Sequence, residues 1–271
     1  MLEMDVNSEK INFNYGELDD PGRLPEIKKT IDSKIPLKAF YCKVYKEYQE
    51  CLARIKNPKV CVELGSGASF AKEFVGGLLY TDVIAYAGID LVVDATNMPF
   101  QDESVDFICM LNTLHHIPNA EKFFREASRV LALGGRIFIA DQHLGWISSF
   151  VLKYLHKEGF NPDAKTWAFP SKGPLSSANG ALSWIIFKRD LSLFQHLFPQ
   201  FNLVRYQTHT PLMYWLSGGL KKWTLIPKGL IVLFEKLDKF LLKISPEFGS
   251  FNFIELEKIS PKPNEFALNP R

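Results

Sequence analysis

"VCVELGSGASF", residues 60–70, ends an apolar run with a carboxylate at Glu63 and then two glycines, Gly65 and Gly67, two positions apart. A short valine-rich run closed by glycines reads as a buried strand that turns into a helix. Glycines at that bend let the backbone come within contact distance of a ligand, because neither projects a side chain. A dinucleotide site would want a third Gly or Ala three positions beyond Gly67, where Phe70 stands, and a P-loop would want Gly-Lys-Ser or Gly-Lys-Thr, which is missing. Glu63 would repel phosphates, yet it could stabilise a cation or accept from an ammonium group. The loop therefore suits an adenosine ligand without phosphates and with positive charge; S-adenosylmethionine is one.

The pattern on either side is that of an α/β chain. Apolar residues recur at three and four from Ser33 to about Ile55, a helix face. "KVCVEL" (59–64), "LLYTDV" (78–83), "IDLVVDA" (89–95), "VDFICML" (105–111) and "RIFIADQ" (136–142) are strand candidates, and "AEKFFREASRVLAL" (120–133) is an amphipathic helix that Gly134 and Gly135 end with a turn. Strands alternating with helices predict a mainly parallel sheet covered on both faces. Further on, 144–189 reads as loop with short helices, 190–199 as helix, 201–211 and 250–259 as two late strands, and about 227–244 as an amphipathic helix. Residues 1–33 read as an irregular N-terminal arm, and 34–271 as a single domain with a cofactor-binding core at 58–143 and substrate-recognition insertions at about 144–189 and 212–249.

"VELGSG" (62–67) followed by "VDATNMPFQDESVDFICMLNTLHHIPNAEKFFREASRVLALGGRIFIAD" (93–141) resembles the class I S-adenosylmethionine-dependent methyltransferases, in particular the type 11-like group seen beside bacterial surface-polysaccharide enzymes. Met98, Val105 and Leu133 depart from that pattern, at packing or turn positions. The resemblance implies an α/β, doubly wound, seven-stranded sheet, the Rossmann-like methyltransferase fold with an antiparallel last strand. It implies that Glu63, Gly65, Ser66 and Gly67 wrap the methionine part of S-adenosylmethionine and the product S-adenosylhomocysteine. It gives Asp82 the ribose hydroxyls, Asp94 and Ala95 the adenine, and Leu111 and Asn112 the floor of the site. Asp90 stays open as the ribose acid, should 84–89 belong to the second strand.

Methyl transfer is an in-line displacement, and an alcohol acceptor needs a base. Ligands in such folds bind beyond the carboxyl ends of strands, where "ADQH" places Asp141 and His143. His143 is the candidate base, against a plain loop histidine; His209 is a weaker candidate. His115 and His116 read as structural or as lining of the cofactor pocket. Asp141 with Asn112 and Gln142 is poor company for a divalent ion, so no metal is expected. Trp167, Phe169 and Trp184 could face an acceptor or could pack a small core of their own. The helix at 227–244 reads as docking on its own domain or a partner subunit sooner than on a membrane.

Thirty-two Lys and Arg against 30 Asp and Glu leave a net charge of +2, which argues against a nucleic-acid binder. Four cysteines without a C-x-x-C pair predict a reducing compartment, and the polar start and lack of a long apolar run predict a cytoplasmic protein. The expected partner is a small-molecule acceptor, sugar or lipid-linked, with membrane contact at most peripheral and homo-oligomerisation open. The expected activity is methyl transfer to its hydroxyl; the alternatives are a catalytically idle cofactor-binding scaffold and, against Phe70, a dinucleotide oxidoreductase.

Overall fold

A computed structural model describes residues 20–67, 70–156 and 158–260. The sheet has seven strands: β1 (Cys61–Leu64), β2 (Leu78–Asp82), β3 (Leu91–Val92), β4 (Val105–Leu111), β5 (Leu131–Gln142), β6 (Phe201–His209) and β7 (Phe251–Lys258). Their spatial order is β3-β2-β1-β4-β5-β7-β6. The first five run parallel, and β7 runs antiparallel to both β5 and β6. This is the doubly wound sheet expected from the sequence, with its topological switch between β1 and β4 at the end of the Glu63 loop.

Helices cover both faces. On one side lie α1 (Leu24–Ser33) and α2 (Ile35–Leu52); α2 buries Leu37, Phe40, Val44 and Tyr48 against Cys61, Phe107, Cys109 and Phe138 of the sheet. On the other lies α3 (Ala120–Val130), whose N-terminus is capped by the Asn119 side chain accepting from Lys122 N at 2.9 Å. Its Phe123, Phe124, Ala127 and Val130 are buried against Val62, Ile108 and Ile137. After β5 come α4 (Trp146–Tyr154), α5 (Leu182–Trp184) running into a π turn at Ile185–Arg189, and α6 (Leu191–Leu197); between β6 and β7 lie α7 (Met213–Leu216) and α8 (Ile231–Ile244). The four cysteines form no disulfide.

Three expectations need correcting. The arm expected to be irregular is helical over α1, while residues 1–19 lie outside the described ones. Pro25 suits the first turn of that helix, where a missing N–H costs nothing, and Ile31 is buried under it. Gly134 and Gly135 are not a turn before β5 but lie in an irregular stretch of it: the register runs from Val105↔Leu131 to Phe107↔Arg136, so extra residues bulge out, with Gly134 at φ +79. Of the two docking places expected for the 227–244 helix, its own domain or a partner subunit, the first is met only in part: α8 buries only Asp238 fully within this chain. Asp238 accepts from Leu212 N (2.8 Å) and Met213 N (3.2 Å), which anchors α8 to the start of α7 through polar contacts and turns its apolar stripe outward.

A buried lysine ties the N-terminal helices to the region after α7. Lys34, between α1 and α2, donates from Nζ to the carbonyls of Ser217 (3.1 Å), Gly219 (2.9 Å) and Lys221. Burial lowers its pKa from the ordinary lysine value.

Candidate cofactor and acceptor cavity

One cavity of about 630 Å³ opens at the carboxyl ends of β1, β2 and β4. Its floor is the loop after β1. Gly65 (φ +70) and Gly67 (φ +48) both lie in the left-handed region. The two glycines have different reasons. A Cβ on Gly65 would stand 2.5 Å from Thr113 Cγ2 and nearer still to its Oγ1, so the loop can pass the end of β4 only without a side chain; a Cβ on Gly67 would meet nothing within 4 Å, because that position faces the open cavity.

The loop is stitched to β2. Ser66 N donates to Thr81 O (2.8 Å), Ser66 Oγ accepts from Thr81 N (3.0 Å), and Gly67 N donates to Asp82 Oδ2 (2.9 Å). Asp82 Oδ1 accepts from Ile84 N at 3.0 Å, closing the strand end. Burial pushes the Asp82 carboxyl up, and the N–H groups of Ile84, Gly67 and Val83 pull against it. Asp82 lines the cavity; Asp90 does not, since its oxygens accept from Tyr80 N (2.9 Å) and Lys72 Nζ (3.0 Å) outside it.

Glu63 lines the cavity, 4% exposed, and its Oε2 is buried with no hydrogen-bond partner among the described residues. Burial lifts its carboxyl to about 7, with the neighbouring Asp82 adding to the rise and the nearby hydroxyls of Ser66 and Tyr48 opposing it. An orphaned buried carboxylate oxygen facing a cavity is a demand for a cation. Asn112 repeats the theme: it follows β4 at φ +52, a conformation asparagine tolerates, and its Oδ1 is buried without a partner among the described residues. Leu111, Asp94 and Ala95 line the same cavity; Asp94 Oδ1 is taken by Thr96 N (2.7 Å) and Thr96 Oγ1 (2.8 Å), which leaves Oδ2 for a ligand. Phe70, where a dinucleotide loop would carry its third glycine, packs against Tyr41, Tyr45 and Phe74 and opens only a single 3-10 turn, Phe70–Glu73. Among the described residues no helix longer than this turn begins there to present its N-terminus to a pyrophosphate.

The wall across from the loop is a cluster of ionisable groups. His115 is buried; its Nδ1 stands 2.5 Å from Asp141 Oδ1 and its Nε2 3.5 Å from Glu158 Oε2. Burial disfavours charge on this ring, but Asp141 and Glu158 outweigh it and lift His115 to about 10. His116 is the opposite case: burial and the charge of His115 hold it down at about 4. Its Nδ1 faces Ser177 O at 3.0 Å, so Nδ1 carries the proton and Nε2 the lone pair. Glu158 falls to about 2: burial resists ionisation, but the hydrogen bond and charge of His115 prevail, with His116 and His156 assisting.

The candidate base from the sequence lies elsewhere. His143 is buried and does not line the cavity; its Nδ1 meets Tyr206 Oη at 2.7 Å, and burial together with Lys188 holds it at about 4. Side chains alternate along a strand, so the pleat that brings Gln142 into the cavity turns His143 away. His209 is also outside, stacked on Phe253 with ring centroids 3.7 Å apart. Trp167, Phe169 and Trp184 pack into the core around Phe194, and Trp167 Nε1 donates to Asp190 Oδ2 at 2.9 Å; that segment instead lends Ser171, Pro174 and Leu175 to the cavity. Glu158 and the roof formed by Leu24, Ile27 and Ile31 of α1 were missed, because nothing local in the sequence ties either to a site.

Comparison with known proteins places this site in context. Residues 66–139 match the family model described as a methyltransferase domain. The 27-O-demethylrifamycin SV methyltransferase of Amycolatopsis mediterranei (strain S699) is 42% identical over 48 residues, 18% of this chain and 18% of that protein. Methyltransferase GfsG of Streptomyces halstedii is 40% identical over 50 residues, again 18% of each. The matching stretch thus spans under a fifth of these relatives. The fold is shared along most of the chain with a protein solved in complex with the Trm112 methyltransferase activator of Haloferax volcanii: TM-score 0.50 and 12% identity, over 89% of this chain and 97% of that one. The sheet is that of the Rossmann-like methyltransferases, with antiparallel β7 inserted between β5 and β6.

Proposed function

We propose that this chain is an S-adenosylmethionine-dependent methyltransferase acting on a hydroxyl of a sugar carried by a lipid. The observation that supports the cofactor is the orphaned Glu63 carboxylate above a bare-backbone loop, in a chain whose residues 66–139 match a methyltransferase domain. Bound there, the cofactor supplies an electrophilic methyl group on a sulfonium. Glu63 faces its positive end, Asp82 the ribose, Asp94 Oδ2 and the backbone at Ala95 the adenine, and Leu111 and Asn112 the floor. The acceptor enters across from the loop, where His116 Nε2 holds the lone pair that takes the hydroxyl proton. His115, gripped by Asp141 and Glu158, keeps that wall rigid. Tyr214, Trp215 and Phe251 close the space and exclude water. One relative is named for 27-O-demethylrifamycin SV, in keeping with an oxygen acceptor.

Glu63 gives the cofactor a pH signature. Cation binding needs the carboxylate, and the group sits at about 7. Affinity for S-adenosylmethionine should rise as pH climbs through about 7 and level off above it, with about a tenfold loss per unit well below that point. The sign agrees with stability: an acid raised from 4.5 to about 7 costs the unliganded chain stability as pH rises through that window, and a bound cation returns it. Calorimetry from pH 5.5 to 8.5 checks this; a flat profile for the wild type would count against Glu63, and Glu63→Gln should be flat and weak.

The lipid-linked acceptor is supported by an exposed apolar face. Leu233, Leu237, Phe240 and Ile244 form one stripe along α8 with Lys236, Lys239 and Lys243 beside it, and Trp146, Phe150 and Tyr154 form another along α4. The two helices meet on either side of Pro246–Phe248, where Trp146 packs on Phe248. Leu220, 44% exposed, lines the cavity and is open to solvent. Helices of this kind lie in the headgroup layer, and each lysine near an anionic surface adds about 1 kcal/mol. No described helix is long and apolar enough to cross a membrane. The full chain should float with vesicles containing anionic lipid and lose that on Leu233→Asp with Phe240→Asp. Label from the methyl group of S-adenosylmethionine, incubated with bacterial extract, should enter the lipid fraction. Label only in water-soluble sugar would contradict the lipid, and no fixed label would leave an idle scaffold.

A further inference from the structure

The His115, His116 and Glu158 cluster has more order than a base requires. Each histidine has its Nδ1 engaged from behind, His115 by Asp141 Oδ1 and His116 by Ser177 O, which turns both Nε2 atoms forward. Outer hydrogen bonds of this kind, from a carboxylate or a backbone carbonyl, fix the tautomer and aim of metal-binding histidines. In front of them stands a carboxylate: His115 Nε2 and Glu158 Oε2 face each other at 3.5 Å. In the metal-free chain a proton on His115 Nε2 bridges this pair, and a divalent ion binds by displacing that proton to solvent. Donors at about 2.1 Å from a tetrahedral ion stand about 3.4 Å apart, which matches this pair. One ligand atom from each of the three residues lies within 4.8 Å of the others, so small side-chain shifts complete the set. Glu158 is half-buried beside the cavity and can make such a shift.

We propose that His115, His116 and Glu158 bind one divalent transition-metal ion, with zinc the best match to two imidazoles and a carboxylate, and that its remaining position opens onto the cavity. The two-histidine, one-carboxylate set with a free position is the arrangement of ions that handle a substrate oxygen, in contrast to closed structural sites. This goes beyond the methyl-transfer reading, since the ion binds whatever the acceptor is. In that case His116 would serve as a ligand in place of its role as proton acceptor, and the ion would lower the pKa of an acceptor hydroxyl so that its proton could pass to solvent without a protein base.

Metal binding can be read without the cofactor. The full chain, stripped with a chelator and shown to be folded by circular dichroism, is titrated with Zn²⁺ by calorimetry and with Co²⁺ by visible absorption. One ion per chain and tetrahedral cobalt bands are expected, with affinity at least tenfold weaker in both Glu158→Gln and His116→Ala. Asp141→Asn, which leaves the ligands in place, should weaken binding about 10–100-fold. No binding to the folded chain, or binding that both ligand variants leave unchanged, overturns the proposal. S-adenosylhomocysteine affinity measured on the same samples tells loss of this site apart from failure of the cofactor reading.

Discussion

Gly65→Val abolishes cofactor binding while leaving a folded protein: that is the expected result of calorimetry with S-adenosylhomocysteine. Two effects add. The residue holds φ +70, which a β-branched side chain rarely adopts, and its Cβ would overlap the Thr113 side chain at the end of β4. The loop must then lift, and with it go the bonds of Ser66 to Thr81 and of Gly67 to Asp82 that shape the cradle. Affinity should fall at least a hundredfold. Gly67→Ala tests the other half of the argument, since its Cβ enters open cavity and meets no protein atom. It carries a backbone cost of about 1–2 kcal/mol at φ +48 but no clash, so it should disturb the loop far less than Gly65→Val and lose affinity mainly by filling ligand space. Unchanged binding in both variants would remove the loop from the site.

Asp141→Ala should cost more stability than any other single change in the cavity wall. The carboxylate is fully buried and accepts from His115 Nδ1 (2.5 Å), His115 N (3.2 Å) and Gln142 N (2.7 Å). Its removal strands a charged imidazole, a change worth about 3–5 kcal/mol by denaturant unfolding. The pH dependence identifies the cause. A histidine raised from 6.5 to about 10 contributes stability that is complete below about 6.5 and is lost as pH rises through about 10. The wild type should therefore weaken over that alkaline span, and Asp141→Asn should show less of the slope. An Asp141→Ala variant as stable as wild type would contradict the buried pair.

The strands were legible because burial on both faces makes them continuous apolar runs: β4 coincides with "VDFICML" at both ends. β3 was overread, at seven residues against two, because Asp90 is drawn back to β2 by Tyr80 N and Lys72. The loop after β1 was legible for a related reason, since a glycine pair behind a carboxylate is a local pattern. The acceptor wall was not. Its chemistry depends on Asp141 and Glu158 reaching His115 from 26 and 43 positions away, a relation set by packing that no local window contains. His143 looked like a base because it follows a strand end, and only the pleat decides that it turns from the cavity. The α8 stripe shows the limit of periodicity: the period gives the helix, while which side meets water depends on the buried Asp238.

Lys34 bolts the first two helices to the carbonyls of Ser217, Gly219 and Lys221, and Leu24, Ile27 and Ile31 of the first helix hang over the cavity. The seating of that roof therefore rests on one ammonium group, and Lys34→Met, which leaves three carbonyls without their donor, should loosen the first helix over the cavity and lower the melting temperature.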